Sequence, residues 1–250
     1  MAVPALVLLV APLVGLLWRV PWSDLGSSLN SRESRTALRL SLQCSLSATV
    51  LAAIVGLPLA WLFARVPFPG RRVVRAVALV PLVLPPVVGG VALLFAFGRR
   101  GLLGRPLDAW FGVRLPFTTA GAVLAEAFVA LPFLVLGAEA AFRSVDLRYE
   151  DAARTLGAGA LRTFRRVTLP LAAPGLAAGA LLAWARALGE FGATITFAGN
   201  TRGRTATVPL EVFVLLESGN ADAAIALSLV LLVVSVAVLA LLRERWLGPQ

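Results

Sequence analysis

The sequence predicts an all-α membrane protein with six transmembrane helices, and three observations lead there. Apolar residues make up 59% of the 250 and the mean hydropathy is +0.87, whereas soluble domains are nearer about 45–50% apolar. The charged residues gather mostly in clusters between long runs that hold few charges or none. Those runs, at about 2–18, 40–64, 76–98, 117–141, 171–191 and 223–242, have the length that crosses a bilayer as a helix. Together they make one membrane domain covering 1–250.

The same composition excludes much chemistry. There is no His, which removes His-based acid–base catalysis and His metal ligands. All 23 basic residues are Arg; a Walker A loop requires its Lys, so the chain is no conventional P-loop ATPase. Cys44 is the one cysteine and lies in an apolar run, so an intrachain disulfide is impossible and a packing role is expected. No catalytic residue, no metal ligand set and no cofactor site is expected on this chain.

Taken in order, residues 2–18 lack the basic n-region and small-x-small site of a signal peptide and read as a retained helix. The polar stretch 19–39 reads as an external loop or interfacial segment. The span 40–64 is followed by a short basic turn with Arg65, Arg71, Arg72 and Arg75. The span 76–98 is interrupted by Pro85-Pro86 and Gly89-Gly90, which predicts a kink where protein or water covers the break. Residues 99–116 form a polar linker with Trp110 and Phe111 at interface depth. The span 117–141 carries Glu126 near its middle, and a carboxylate there must face the bundle interior, another polar group or water. The span 171–191 is rich in Gly and Ala, with Gly175 and Gly179 at the spacing that lets helices approach closely. Residues 200–222 read as polar and external, 223–242 as the last span and 243–250 as a tail.

Six spans put both ends on one side. With that side cytoplasmic, the inner segments 65–75, 143–169 and 243–250 hold twelve arginines against ten outside, a small bias that density in the shorter inner segments reinforces.

The segment 143–170 is the one long polar interruption in the second half of the chain. As a helix after Gly157, it places Leu161 and Phe164 three apart on one face, with Arg162 and Arg166 on another. That is an apolar knob flanked by guanidinium groups, a surface able to dock in a groove on a soluble partner. A solvated basic loop obeying the positive-inside rule is the alternative. Its spacing is more specific: Asp151-Ala152-Ala153, three residues, Gly157, nine residues, then Val167-Thr168-Leu169-Pro170. This resembles the Glu-Ala-Ala loop of ABC importer membrane subunits, with Asp for Glu and Val for Ile. Four further stretches resemble the molybdate-type branch of the sulfate, molybdate and tungstate permeases: GLPLAWLFARVPFPGRR from Gly56, LVPLVLPPVVGGVALLFAFGRRGLLG from Leu79, AEAFVALPFLVLGAEAAF from Ala125 and ARALGEFGATITFAGNTRGRTATVPLEVF from Ala185.

The resemblance implies a type I ABC importer permease fold in a bacterial or archaeal plasma membrane, with both termini cytoplasmic. It implies a homodimer, two ATPase subunits that carry ATP and Mg, an external substrate-binding protein, and no nucleic acid. Asp151, Ala152, Ala153, Gly157, Leu161, Phe164, Leu169 and Pro170 would then form the coupling loop, with Phe164 the anchor in the ATPase. For the oxyanion, Thr194, Thr196 and Asn200 beside Gly192 and Gly199 offer neutral donors along a substrate pathway, helix packing and loop capping being the alternative. Arg186 and Glu190, four apart, are placed to pair and fix helix geometry. A stand-alone secondary transporter is the rival class, disfavoured by the half-size of the chain and the absence of a clear inverted repeat.

Overall fold

The computed structural model describes residues 2–246, all of whose regular elements are helical. The apolar run α1 (Ala2–Trp18) is helical to its end and contains Pro12. The tail beyond Trp246 lies outside the described residues.

A short α2 (Leu25–Asn30) leads into α3 (Arg32–Arg65), which starts eight residues before the uncharged run. Ser31 sets the start: its hydroxyl accepts the Ser34 N–H at 3.1 Å, a side-chain N-cap. The stretch expected as a loop therefore supplies the first two turns of a 34-residue rod about 50 Å long.

The third predicted span is not one straight helix. It divides into α4 (Arg71–Val83) and α5 (Pro86–Phe97), inclined at 120°. Pro85 and Pro86 both lack an N–H, and a residue before proline avoids the α conformation, so Leu84 is extended. Gly90 has a different purpose. A Cβ there would stand 2.6 Å from the Thr196 side chain and 2.9 Å from the Ala193 carbonyl, so the glycine permits backbone approach to the short helix α11 (Gly192–Phe197). The linker contains α6 (Gly104–Phe111), closed by Gly112 in the left-handed region.

The centre of the fold is α7 (Thr119–Ser144), flanked by α3 and by α10 (Leu169–Leu188). α3 and α7 run parallel: Gly56 packs on Leu134, and Arg143 reaches the Phe63 carbonyl. α10 runs antiparallel, and here the small residues are explained. Gly137 meets Gly179 and Ala141 meets Gly175; a Cβ on Gly137 would lie 2.7 Å from the Gly179 backbone. The core is layered along this triplet. Phe63, Ala138, Phe142 and Leu176 pack at one end, Ala48, Ala130, Leu134 and Ala183 midway, and Leu93, Ala125, Ala193 and Phe197 beside α5 and α11.

Residues 200–222 were expected to be a polar external stretch. They contain α12 (Val208–Glu217), whose Val208, Leu210 and Glu211 are buried. Pro209 suits a first turn, and the Val208 N–H, free there, donates to Ser41 on α3 at 2.6 Å. The final helix, α13 (Ala221–Trp246), packs on α12. Four helices, namely α3, α7, the continuous rod Ala160–Leu188 and α13 as far as Leu242, are long and apolar enough to cross a membrane; the bent α4–α5 pair meets the same criterion jointly.

Candidate coupling site

At the end of the bundle where α3 and α7 finish, the chain makes α8 (Leu147–Thr155), a four-residue turn, α9 (Ala160–Thr163), and a π-helical turn Phe164–Thr168 that runs unbroken into α10. Asp146 starts α8. Its carboxylate accepts the Arg148 N–H at 2.9 Å and contacts the Arg148 guanidinium at 2.6 Å. The side-chain bond, then the backbone bond, holds the Asp146 carboxyl below its usual range.

The end of α8 is a Schellman motif. Gly157 has φ +82; its N–H bonds to the Arg154 carbonyl, and the Ala158 N–H bonds to that of Ala153. Nothing crowds Gly157, so its glycine is required by conformation and not by space. The turn leaves Leu156 89% exposed and Leu161 65% exposed, an apolar pair directed away from the bundle.

Asp151 lies on the outer face with Ala152, and among the described residues its one ion pair is an exposed one with Arg154 at 3.4 Å. The buried acid is its neighbour. Glu150 contacts Arg65 at 3.0 Å, accepts the Thr168 hydroxyl at 3.0 Å, and has Arg154 at 3.6 Å. Arg65 also donates to the Val145 carbonyl at 2.9 Å. One carboxylate thus ties α8, the end of α3 and the π turn together. A second, Glu139, does the same for α4 and α7 through Arg75 at 2.9 Å and Arg143 at 2.6 Å.

Phe164 does not share an exposed face with Leu161. Its ring points inward between Trp61 (6.1 Å, edge-on) and Phe142 (6.2 Å), against the core layer at this end of the bundle. The expected anchor for a partner is therefore packed on this chain. Phe164 opens the π turn facing the core, and Thr168 closes it facing Glu150, so both of its ends are held from within. Leu169 and Pro170 are exposed as α10 begins.

The three residues expected along a substrate pathway are not brought to one surface. Thr194 is fully buried, Thr196 donates its hydroxyl to the Gly192 carbonyl at 2.8 Å, and Asn200 is exposed. Arg186 lies 2.6 Å from Glu190, whose other oxygen accepts the Ala193 N–H at 2.8 Å and so caps α11 (Gly192–Phe197). Glu126 is 2% exposed inside the bundle, with one oxygen unpartnered among the described residues. Cys44 is buried among Ala122 and Ala198.

Glu150 and Glu139 were not singled out by sequence. Local spacing does not separate the two adjacent acids, since Arg154 stands four residues after Glu150 and three after Asp151 and reaches both. For Glu139, the signal was Arg143 one turn later.

Residues 56–249 match the family described as "Binding-protein-dependent transport system inner membrane component", and the chain belongs to that family. It is 48% identical over 234 residues to the molybdenum transport system permease protein ModB of Mycobacterium tuberculosis, covering 94% of this chain and 88% of that protein. It is 44% identical over 212 residues to ModB of Escherichia coli K12, covering 85% and 92%. Among solved structures, a chain of a bacterial alginate ABC transporter, in complex with its pentasaccharide-bound periplasmic protein, superposes with a TM-score of 0.75 at 18% identity, covering 95% of this chain and 88% of that one. The fold is thus that of an ABC importer permease, and the chain is a multi-pass inner-membrane protein.

Proposed function

We propose that this chain is the membrane-spanning subunit of an ATP-driven molybdate importer. It hydrolyses nothing itself: a separate ATPase binds ATP and Mg, and 147–170 is the joint through which its movement reaches the bundle. The observation that carries this reading is the coupling segment. It is an outward apolar turn, Leu156 and Leu161, set on a block clamped from within by Glu150. Molybdate as substrate rests on likeness to the two permeases named for molybdenum transport.

Six crossings follow from counting α1 and the bent α4–α5 pair as one each. Parallel α3 and α7 require the chain to return between them, and the pair is the segment available for that return. Six crossings leave both ends cytoplasmic, beside the coupling segment. The partners are a second copy of this chain, two ATPase subunits and an external binding protein. Asp151, Ala152, Ala153, Gly157, Leu161, Leu169 and Pro170 belong to the joint's surface, and Phe164 holds it from behind.

Purification followed by reconstitution with ATPase and binding protein tests this. Expected is retention of an ATPase and ATP-dependent uptake of molybdate in preference to sulfate. Uptake that proceeds without ATP would overturn it in favour of a secondary transporter.

A further inference from the structure

The end of the bundle opposite the coupling segment carries an open basic face. α3 begins there, about 50 Å from Arg65. Arg32, Arg35 and Arg39 stand on it at i, i+3 and i+7, one exposed stripe. Across from the stripe lies the loop at Gly203 (φ +76), with exposed Arg202 and Arg204 on either side of the glycine. Thr119 on α7 donates to the Arg204 carbonyl at 2.8 Å, and the Thr201 N–H donates to the Thr205 hydroxyl at 2.8 Å, so the loop is held in place. Stripe and loop wall two adjoining clefts of 280 and 560 Å³, with Arg32 and Gly203 common to both.

We infer that this face receives the external binding protein, which meets it with a row of carboxylates; the inference rests on the importer reading above. None of the five arginines forms an ion pair with a carboxylate among the described residues. Two carboxylates border the clefts, exposed Glu33 and buried Glu211, so positive charge remains in excess. Like charges three and four apart on a helix repel, so the stripe costs α3 stability unless something negative covers it.

The partner's class follows from the extent of the charge. The stripe's backbone positions extend over about 10 Å of helix, a row suited to several carboxylates and not to one small anion. The uncharged run that enters the bilayer starts at Leu40, which puts Arg39 at headgroup depth. Arg32 projects about 10 Å farther out, past the lipid phosphates. The same sign continues in the cleft beside α6, where Arg99, Arg100 and Arg105 outnumber Asp108. A field that covers a whole face steers and orients a large partner of opposite charge. The family to which the chain belongs is binding-protein-dependent, which supplies such a partner. A protein seated on the stripe would touch the same 34-residue helix that Glu150 grips through Arg65 at the coupling end.

The test uses the complete transporter, permease with its ATPase, in nanodiscs, and molybdate-loaded binding protein as the probe. Affinity is compared for wild type, Arg32→Gln/Arg35→Gln and Arg32→Lys/Arg35→Lys. At low salt the Gln pair should bind about tenfold more weakly, through slower association. The gap should close at roughly 0.5 M salt, where screening removes the wild-type advantage. The Lys pair keeps both charges and should retain most of the affinity. Because all 23 basic residues of the wild type are Arg, the Lys pair also introduces amines at known positions. A carbodiimide, which joins an amine to a carboxylate, should link position 32 or 35 to an acid of the binding protein, mapped by mass spectrometry. Equal affinity with an equal salt slope in the Gln pair would overturn the inference alone. Absence of ATP-dependent uptake by wild type in liposomes would overturn the importer reading as well. Slower uptake with docking unchanged would assign the arginines to the oxyanion itself, and a deficit confined to anionic discs would assign them to lipid phosphates. Either result would overturn the docking face.

Discussion

The two ends of this molecule use arginine in opposite ways. At the coupling end Arg65, Arg75, Arg143 and Arg154 converge on two carboxylates, Glu150 and Glu139, which are buried. At the far end Arg32, Arg35 and Arg39 have no carboxylate within ion-pairing distance among the described residues. Charge that is neutralised inside the protein fixes elements relative to one another. Charge left open projects a field into solvent.

The largest expected effect tests the stiff end. Glu150→Ala leaves Arg65, part-buried and still bonded to the Val145 carbonyl, without its carboxylate, and breaking one side of a buried pair costs at most about 3–5 kcal/mol. Uptake should be lost because α8 no longer holds to α3. Glu150→Ala with Arg65→Met should regain a large part of the thermal stability, since no orphaned charge remains. If the double variant melts as low as the sum of the singles, the clamp is not a coupled pair.

How much of this comparison was legible beforehand differs by element. The apolar runs showed where helices lie, because lipid permits little else. The spacing from Asp151 to Pro170 marked the coupling segment, since Gly157 must adopt positive φ for the chain to turn. Yet Asp151 drew the reading and Glu150 holds the structure. Which of two adjacent acids faces inward depends on Arg65, 85 positions earlier, and no local pattern records that. The start of α3 was missed for a related reason: a charged stretch looks like loop when its charges face a cleft and the helix is fixed by Ser31. Pro85-Pro86 announced a kink, whereas its 120° angle is set by α5 packing on α11.

A smaller effect separates the two apolar residues of the coupling segment. Phe164→Ala removes a ring from between Trp61 and Phe142 and should cost about 2 kcal/mol of stability, below the range for a fully buried Phe because this ring is half-buried. Leu161→Ala should leave thermal stability unchanged, its side chain being exposed, and should weaken retention of the ATPase. Melting curves and ATPase co-purification on the same two variants decide the matter. If Phe164→Ala loses the ATPase with stability intact, the inward packing of that ring does not describe the assembled transporter.

The smallest effect concerns an exposed pair at the same end, where the contrast should fade. Asp146 caps α8 and meets Arg148 in solvent. Its carboxyl pKa is lowered on folding, so the stabilisation it gives is complete above the unfolded value, roughly 3.9, and is lost only as pH falls through the lower folded value. Between pH 8 and 5 this group should therefore contribute no pH dependence. Asp146→Asn keeps an oxygen that caps equally well and discards the charge; Asp146→Ala discards both. Amide hydrogen exchange across the first turn of α8 at pH 7 should be alike in wild type and the Asn variant, and faster in the Ala variant. An Asn variant exchanging as fast as Ala would mean that the ion pair with Arg148 matters even in solvent, and that coupling-end arginines are clamps whether buried or not.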